Sequence, residues 1–360
     1  MQIQPASVRP YTANMVENSA RRPGDVLRRI AYLLEAANEP GYRVRAFRRA
    51  ANAIEVLSAE RLERMAAQGR LTDLPGVGGT TAGIIASVLR GETPEYLTKL
   101  EESYQAPEPV TGDAAAILAT LRGDCHTHSD WSDGQATIEE MAREAIALGR
   151  EYIVLTDHSP RLTVANGLTA ERLEQQLDIV ARLNEDLAPF RILTGIEVDI
   201  LDEGELDQTD ELLSRLDLVV GSAHSKLRME REGMTRRFLN ALANPHLDIL
   251  GHCTGRLIVG RGRPESTFDA QAVFDQAVKY DKAIEINSRP ERLDPPKPLL
   301  TLATALGCRF AIDSDAHTPT QLSWLRYGAE LAALEGLDES RIVNTMGVDE
   351  LLAWTRAHEA

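Results

Sequence analysis

The stretch that decides this fold runs Arg122-Gly-Asp-Cys-His-Thr-His-Ser-Asp-Trp-Ser-Asp-Gly134. His126 and His128 stand two residues apart, and in an extended segment such side chains point the same way. Both imidazoles can therefore reach one metal ion. Asp133 follows on a turn that ends in Gly134, close enough to fold back toward a neighbouring ion. A His-x-His pair alone is a weak signal. It gains weight because further polar clusters recur down the chain, each at the end of an apolar run.

From residue 122 onward the pattern alternates between strand and helix. Apolar, β-branched runs occupy Tyr152–Thr156, Arg191–Val198, Leu216–Gly221, Leu247–Leu250, Ala283–Ile286 and Arg309–Ile312. Helical segments intervene. The first opens on Thr137-Ile-Glu-Glu140, a capping-box pattern, and stops at Gly149. Such alternation implies a parallel sheet, and the strand before His126 brings the count to seven. No internal repeat of 20–50 residues stands out beyond it.

Every one of these runs leads into a polar group. His126 and His128 come after the first, His158 after the second, and Glu197 closes the third. His224, His252 and Asn287 close the fourth, fifth and sixth, and Asp315 and His317 close the seventh. In a parallel α/β barrel the strand C-termini converge on the face that carries the chemistry. Groups about two hundred residues apart would meet there in one cavity. Six of the chain's eight histidines belong to this set. Of the other two, His246 precedes a strand, which assigns it to the opposite face, and His358 lies in the C-terminal tail.

A length of 360 residues with 43% hydrophobic content suits two or three globular domains. No apolar run approaches the roughly 18–20 residues of a membrane span. Residues 1–20 are polar and lack the apolar centre of a signal peptide; they read as a disordered leader, and a cytoplasmic location is expected. Cys125, Cys253 and Cys308 show no C-x-x-C spacing and read as reduced, packed side chains. The net charge of −16 is uneven: residues 1–105 hold 14 basic and 12 acidic residues, the remainder 25 and 43. An acidic body argues against unspecific nucleic-acid binding over the whole surface, and leaves room for a local phosphate site.

Residues 21–104 read as an all-α unit of short helices. Asp25 is a candidate cap for a helix bearing Val26, Ile30, Leu33 and Leu34 at helical spacing. A second helix follows Gly41 with Arg43, Arg45, Arg48 and Arg49 on its first turns, and a third spans Ser58 to about Gly69. Then comes Leu74-Pro-Gly-Val-Gly-Gly79, which resembles the helix-hairpin-helix motif. In that motif glycines admit a sugar-phosphate chain and the amides of the next helix point at phosphate, a readout blind to base sequence. Arg43, Gly76, Gly78 and Gly79 are the candidate DNA-binding residues. The unit is similar to the N-terminal domain of family X DNA polymerases. Members with lyase activity carry a Schiff-base lysine where Ile84 stands here, so no lyase activity is expected. Residues 105–121, with Pro107, Pro109 and Gly112, read as a linker with room for one short helix. The polymerase palm of that family has no space there, so no polymerase activity is expected.

Residues 122–360 resemble the polymerase and histidinol phosphatase (PHP) domain, through His-x-His, Thr-Asp-His158, Gly-Ile-Glu197, Ser-Ala-His224, Gly-His252 and Asp315-Ala-His317 in order. That resemblance implies a distorted (β/α)7 barrel with a trinuclear metal centre. Carried over, His126, His128, Glu197 and Asp315 hold one ion. Asp133, His158 and His317 hold the second, and a bridging Glu197 with His224 and His252 the third. Some members have histidine where Asp133 stands, which shifts the second site toward harder ligands; zinc, manganese and iron all fit. A metal-held hydroxide would be the nucleophile. Asp157 is a candidate for orienting a ligand, and Lys226, Arg256, Asn287 and Arg289 for holding phosphate oxygens, with Arg256 also near the reacting group. Arg261 and Arg263 lie further out, where they could grip a longer substrate. The leading expectation is a phosphoester hydrolase acting on DNA ends, as a 3′→5′ exonuclease or 3′-end processor. A small-molecule phosphomonoesterase and a non-catalytic DNA-docking protein are the alternatives.

Overall fold

A computed structural model describes residues 22–37 and 39–358; the expected leader over residues 1–20 lies outside them. The chain forms two compact units, divided between Pro109 and Val110.

The first unit is helical: α1 (Pro23–Ala36), α2 (Gly41–Glu55), α3 (Ala59–Ala67), α4 (Gly79–Leu89) and α5 (Glu95–Ser103). Its core gathers Leu27, Ile30, Leu34, Phe47, Ile85 and Leu97. Asp25 does not cap α1. Pro23, whose fixed φ suits the first helical turn, starts the helix earlier, so Arg22 is the cap residue. Asp25 sits inside the first turn and pairs with Arg22 at 3.2 Å. Arg48 leaves the surface arginine cluster: it is buried and grips Glu35 through two 3.1 Å hydrogen bonds. Ser58 caps α3 by accepting from the Arg61 amide at 3.3 Å.

The second unit opens with α6 (Gly112–Thr120), which falls inside the span read as a linker; its Ile117 and the adjoining Leu121 are buried in this unit's main core. Seven parallel strands follow: β1 (Gly123–Thr127), β2 (Tyr152–Leu155), β3 (Arg191–Asp199), β4 (Leu218–Ser222), β5 (Ile249–Leu250), β6 (Ala283–Asn287) and β7 (Arg309–Asp313). Each pairs with the next in sequence. The last approaches the first through a parallel bridge between Thr127 and Ala316, giving a nearly closed, TIM-like barrel. Alternation sorts the side chains. Ile153, Ile192, Ile196, Ile284 and Ile312 pack outward on the helices. Val154, Leu193, Val220, Ile249, Ala283 and Ala311 form a separate cluster, with Leu351 and Trp354 of the last described helix (Val348–Ala357) closing one end. Charged residues replace apolar ones toward the strand C-termini: Glu197, Glu285 and Asp313 are all buried. The capping box at α7 (Ile138–Ala147) is present, with Thr137 and Glu140 bonding reciprocally. No described helix is long and apolar enough to cross a membrane.

Candidate metal centre

One irregularity shapes the site. In the β1–β2 register Asp124 faces Ile153 and Thr127 faces Leu155, so Cys125 and His126 together oppose Val154. Such a bulge re-aims side chains. It turns Cys125 into the barrel's apolar cluster while His126 still meets the site residues, so simple alternation does not hold between these neighbours.

Glu197, on β3, is the hub. Its Oε1 lies 3.0 Å from His252 Nε2 and 3.3 Å from His224 Nε2. Its Oε2 lies 2.7 Å from His158 Nδ1, 3.4 Å from His126 Nε2 and 3.6 Å from His128 Nε2. A second focus is Asp133, whose Oδ1 is 3.3 Å from His317 Nε2 and 3.4 Å from His158 Nε2. Asp315 Oδ1 stands 3.5 Å from His128 Nε2. Three sets have ligand atoms within 4.8 Å of one another: His128, Asp133, His158 and His317; His126, His128 and Glu197; and His158, Glu197 and His224. The structure thus brings all nine residues together. It differs from the expected grouping in drawing His128 toward the Asp133 set and His158 toward the Glu197 and His224 set.

The donor set fits divalent ions. His126 Nε2, both ring nitrogens of His128, His158 Nδ1 and Glu197 Oε2 are buried and make no hydrogen bond. Even the 2.7 Å pair of His158 Nδ1 and Glu197 Oε2 lacks hydrogen-bond geometry. Buried polar atoms left unpaired cost about 1–3 kcal/mol each, and a shared divalent cation would satisfy the lone pairs among them. Titration states in the metal-free ring are mixed: burial lowers His126 and His317, but the neighbouring carboxylates hold both above the usual histidine range. Burial pushes Glu197 upward, but His126, His224 and His158 outweigh it and hold the carboxylate well below its usual range. His128 is driven down to about 3 by burial and by His317 and His158, leaving it neutral, as a ligand must be. His224 rises to about 9: burial lowers it, and Glu197 and Asp199 prevail.

Several polar residues support this ring. Glu285, on β6, reaches His126 Nδ1 at 2.6 Å. Asp199 Oδ1 accepts the His224 backbone N–H at 3.0 Å and lies 3.5 Å from His224 Nδ1. Arg292 Nε stands 3.4 Å from Asp315 Oδ2. None of these three was named from sequence. Glu285 could have been, because it shares an inward face with Asn287 at spacing two.

The remaining candidates divide. Arg289 is at the cluster, 3.7 Å from Asp315 Oδ1 and 3.3 Å from His317 Nδ1. Asp157 touches no imidazole. Its carboxylate instead accepts from Ser129 N–H (2.9 Å), Ser129 Oγ (2.6 Å), Ser132 Oγ (2.5 Å) and Gln176 Nε2 (2.7 Å), fixing the loop between His128 and Asp133. Asn287 is fully buried, and its amide donates to Glu285 and Asp315 at 3.2 Å each, so it has no hydrogen left for phosphate. Arg256 points into the 289–293 loop, donating to the carbonyls of Arg292 and Leu293 and pairing with Glu265. Lys226 is exposed and paired with Asp202. Neither long side chain reaches the ring in this arrangement. Arg263 donates to the Gly255 carbonyl at 2.5 Å, and Arg261 is exposed.

In the helical unit, Gly76 adopts φ +87°, where a side chain would be strained. The Gly78 amide donates to Thr81 Oγ1 at 2.9 Å. A Cβ on Gly78 or Gly79 would meet open space, so backbone at the start of α4 is approachable. These glycines line a cleft of about 350 Å³ with Tyr42, Arg43, Thr80 and Tyr96. Arg43 spans it, bonded to Tyr96 Oη at 2.8 Å and Glu39 at 2.5 Å.

A seven-stranded parallel barrel with carboxylates and imidazoles gathered at its strand ends forms a candidate site for divalent metals. Comparison narrows the class. Residues 124–289 match the PHP domain family and residues 21–94 a helix-hairpin-helix domain family. Over 72% of its length the chain is 37% identical to the DNA polymerase/3′-5′ exonuclease PolX of Bacillus subtilis (strain 168), of which it spans 46%. It is 32% identical to a probable phosphatase of Thermoanaerobacter sp. (strain X514) over 62% of this chain and 89% of that protein. Histidinol phosphate phosphatase from Lactococcus lactis, solved with zinc, L-histidinol and phosphate, aligns over 61% of this chain and 95% of that one, at 18% identity and a TM-score of 0.42. The chain belongs to the PHP family of phosphoester hydrolases, with a helix-hairpin-helix domain ahead of the barrel.

Proposed function

We propose that this protein hydrolyses phosphoesters at DNA ends, as a 3′→5′ exonuclease or 3′-end processor, with three divalent ions. The observation that carries the metal reading is the set of buried, unpartnered donor atoms around Glu197. His126, His128, Glu197 and Asp315 would hold one ion. Asp133, His158 and His317 would hold a second, and Glu197, His224 and His252 a third; zinc, manganese and iron suit these donors. When bound, such ions supply a nucleophile from water at neutral pH and offset phosphoryl charge. The chain's own part is to position. Asp157 clamps the loop carrying Asp133, and Asp199 orients His224. Arg289 and Arg292 set two guanidinium groups beside Asp315, where they can take up non-bridging phosphate oxygens. The exposed start of α4 and Arg43 would meet the sugar-phosphate backbone, with the helix N-terminus favouring its charge.

No lyase activity is expected, because Ile84 stands at the position of the family's lysine and Lys99, paired with Glu95 at 2.7 Å, is the sole lysine in the first 105 residues. Three unpaired, buried thiols suit a cytoplasmic location. The small-phosphomonoester reading keeps one support, the acidic body of the barrel unit. Turnover of a 3′-phosphorylated oligonucleotide against histidinol phosphate separates the two. DNA-end processing predicts preference for the oligonucleotide, weakening as salt rises and lost when residues 1–105 are removed. Preference for histidinol phosphate, unchanged by that removal, would favour the alternative.

A further inference from the structure

Of the seven strands, β6 alone neither carries nor leads directly into one of the nine candidate ligands, yet two of its polar side chains are fully buried among them. Glu285 Oε1 lies 2.6 Å from His126 Nδ1. Its Oε2 accepts the His252 backbone N–H at 2.5 Å and the Asn287 amide at 3.2 Å. The same amide donates to Asp315 Oδ2 at 3.2 Å. One carboxylate and one amide therefore touch a residue of β1 and residues just beyond β5 and β7.

We infer that Glu285 is a positioning residue that sets the tautomer of His126. An ionised carboxylate only accepts hydrogen bonds. Facing Nδ1 at 2.6 Å, it keeps the single proton of a neutral imidazole on Nδ1. Nε2 is left bare, and Nε2 is the atom that is buried without a hydrogen bond 3.4 Å from Glu197. The ring also cannot turn without losing this bond. The inference rests on the metal-centre reading above, and extends it to a strand that binds nothing itself.

Glutamine is isosteric with Glu285 and cannot do the same work. The two donors at Oε2, from His252 and Asn287, anchor the amide oxygen there. The amide nitrogen is then forced against His126 Nδ1, where it donates. The imidazole proton moves to Nε2 and the donor atom is lost. The experiment loads the full chain with zinc alone and reads bound zinc per chain, zinc affinity and the ¹⁵N shifts of the His126 ring. Wild type gives a protonated Nδ1 and a zinc-shifted Nε2. Glu285→Gln gives a protonated Nε2 and zinc binding weaker by roughly 10–100-fold at that position. Glu285→Asp remains acceptor-only, so it keeps the wild-type tautomer and binds zinc more tightly than Glu285→Gln. The inference is overturned by Glu285→Gln with wild-type zinc content and His126 shifts, or by Glu285→Asp no better than Glu285→Gln. Wild type that takes up no zinc would instead sink the metal-centre reading itself.

Discussion

Replacing Glu197 with glutamine removes one charge from the centre of the ring and no volume. Two of the three close donor sets contain Glu197; the set of His128, Asp133, His158 and His317 does not. Glu197→Gln should therefore hold one ion where the proposed wild-type centre holds three. An ion present at a hundredfold excess over its Kd adds ~2.7 kcal/mol to stability, so three add about 8 and the variant forgoes about 5. For a unit of this size each kcal/mol moves the melting temperature by about 2–4 °C, so the metal-dependent rise should shrink by roughly 10–20 °C. Each protein is compared with its own metal-free form, which cancels any direct effect of the substitution on folding. Differential scanning fluorimetry with and without manganese reads the shift, and elemental analysis after gel filtration reads the ion count. A variant that keeps three ions and the full thermal rise would refute the reasoning, because the hub would then hold nothing.

Other consequences arise from the same contacts. Asp157→Ala strands Ser129, Ser132 and Gln176 without their acceptor; it should cost on the order of 3 kcal/mol in urea unfolding and lower turnover further by loosening Asp133. Gly76→Ala meets both the strain of φ +87° and Arg49 Cβ at 3.3 Å; a cost of about 1–2 kcal/mol and weaker binding to labelled DNA by anisotropy are expected. In metal-free protein, His224 titrates near 9 rather than 6.5, held up by Glu197 and Asp199 against burial. Its contribution is complete below the unfolded value of 6.5 and disappears as pH rises through about 9. The melting-temperature gap between wild type and His224→Gln in EDTA should close over that window, and a constant gap would contradict the assignment.

Much of the barrel was legible because two independent patterns coincide. A β-branched run says strand, and a polar residue at its C-terminal end says functional face, so each of the seven strands announced itself and all but β6 a candidate ligand. Residues inside strands were harder. Asp199 looks like an ordinary polar position until neighbouring strands are in register, since its partner His224 follows another strand; Glu285 gave only its spacing of two from Asn287 as a signal. Long side chains misled for a different reason. Lys226 and Arg256 come soon after site histidines, but flexible stems carry their charges to Asp202 and to the 292–293 carbonyls. The bulge at Cys125 and His126 was invisible because nothing in that pentapeptide distinguishes it from a regular strand. Pro23 was the missed signal at α1, where its fixed φ started the helix before Asp25.

Anomalous diffraction from crystals grown with manganese tests the whole account most directly. Peaks are expected between Glu197 and His126, between Glu197 and His224, and beside Asp133 with His158 and His317. Maps with no anomalous signal between Glu197 and those imidazoles, and ring nitrogens bonded to protein instead, would contradict it.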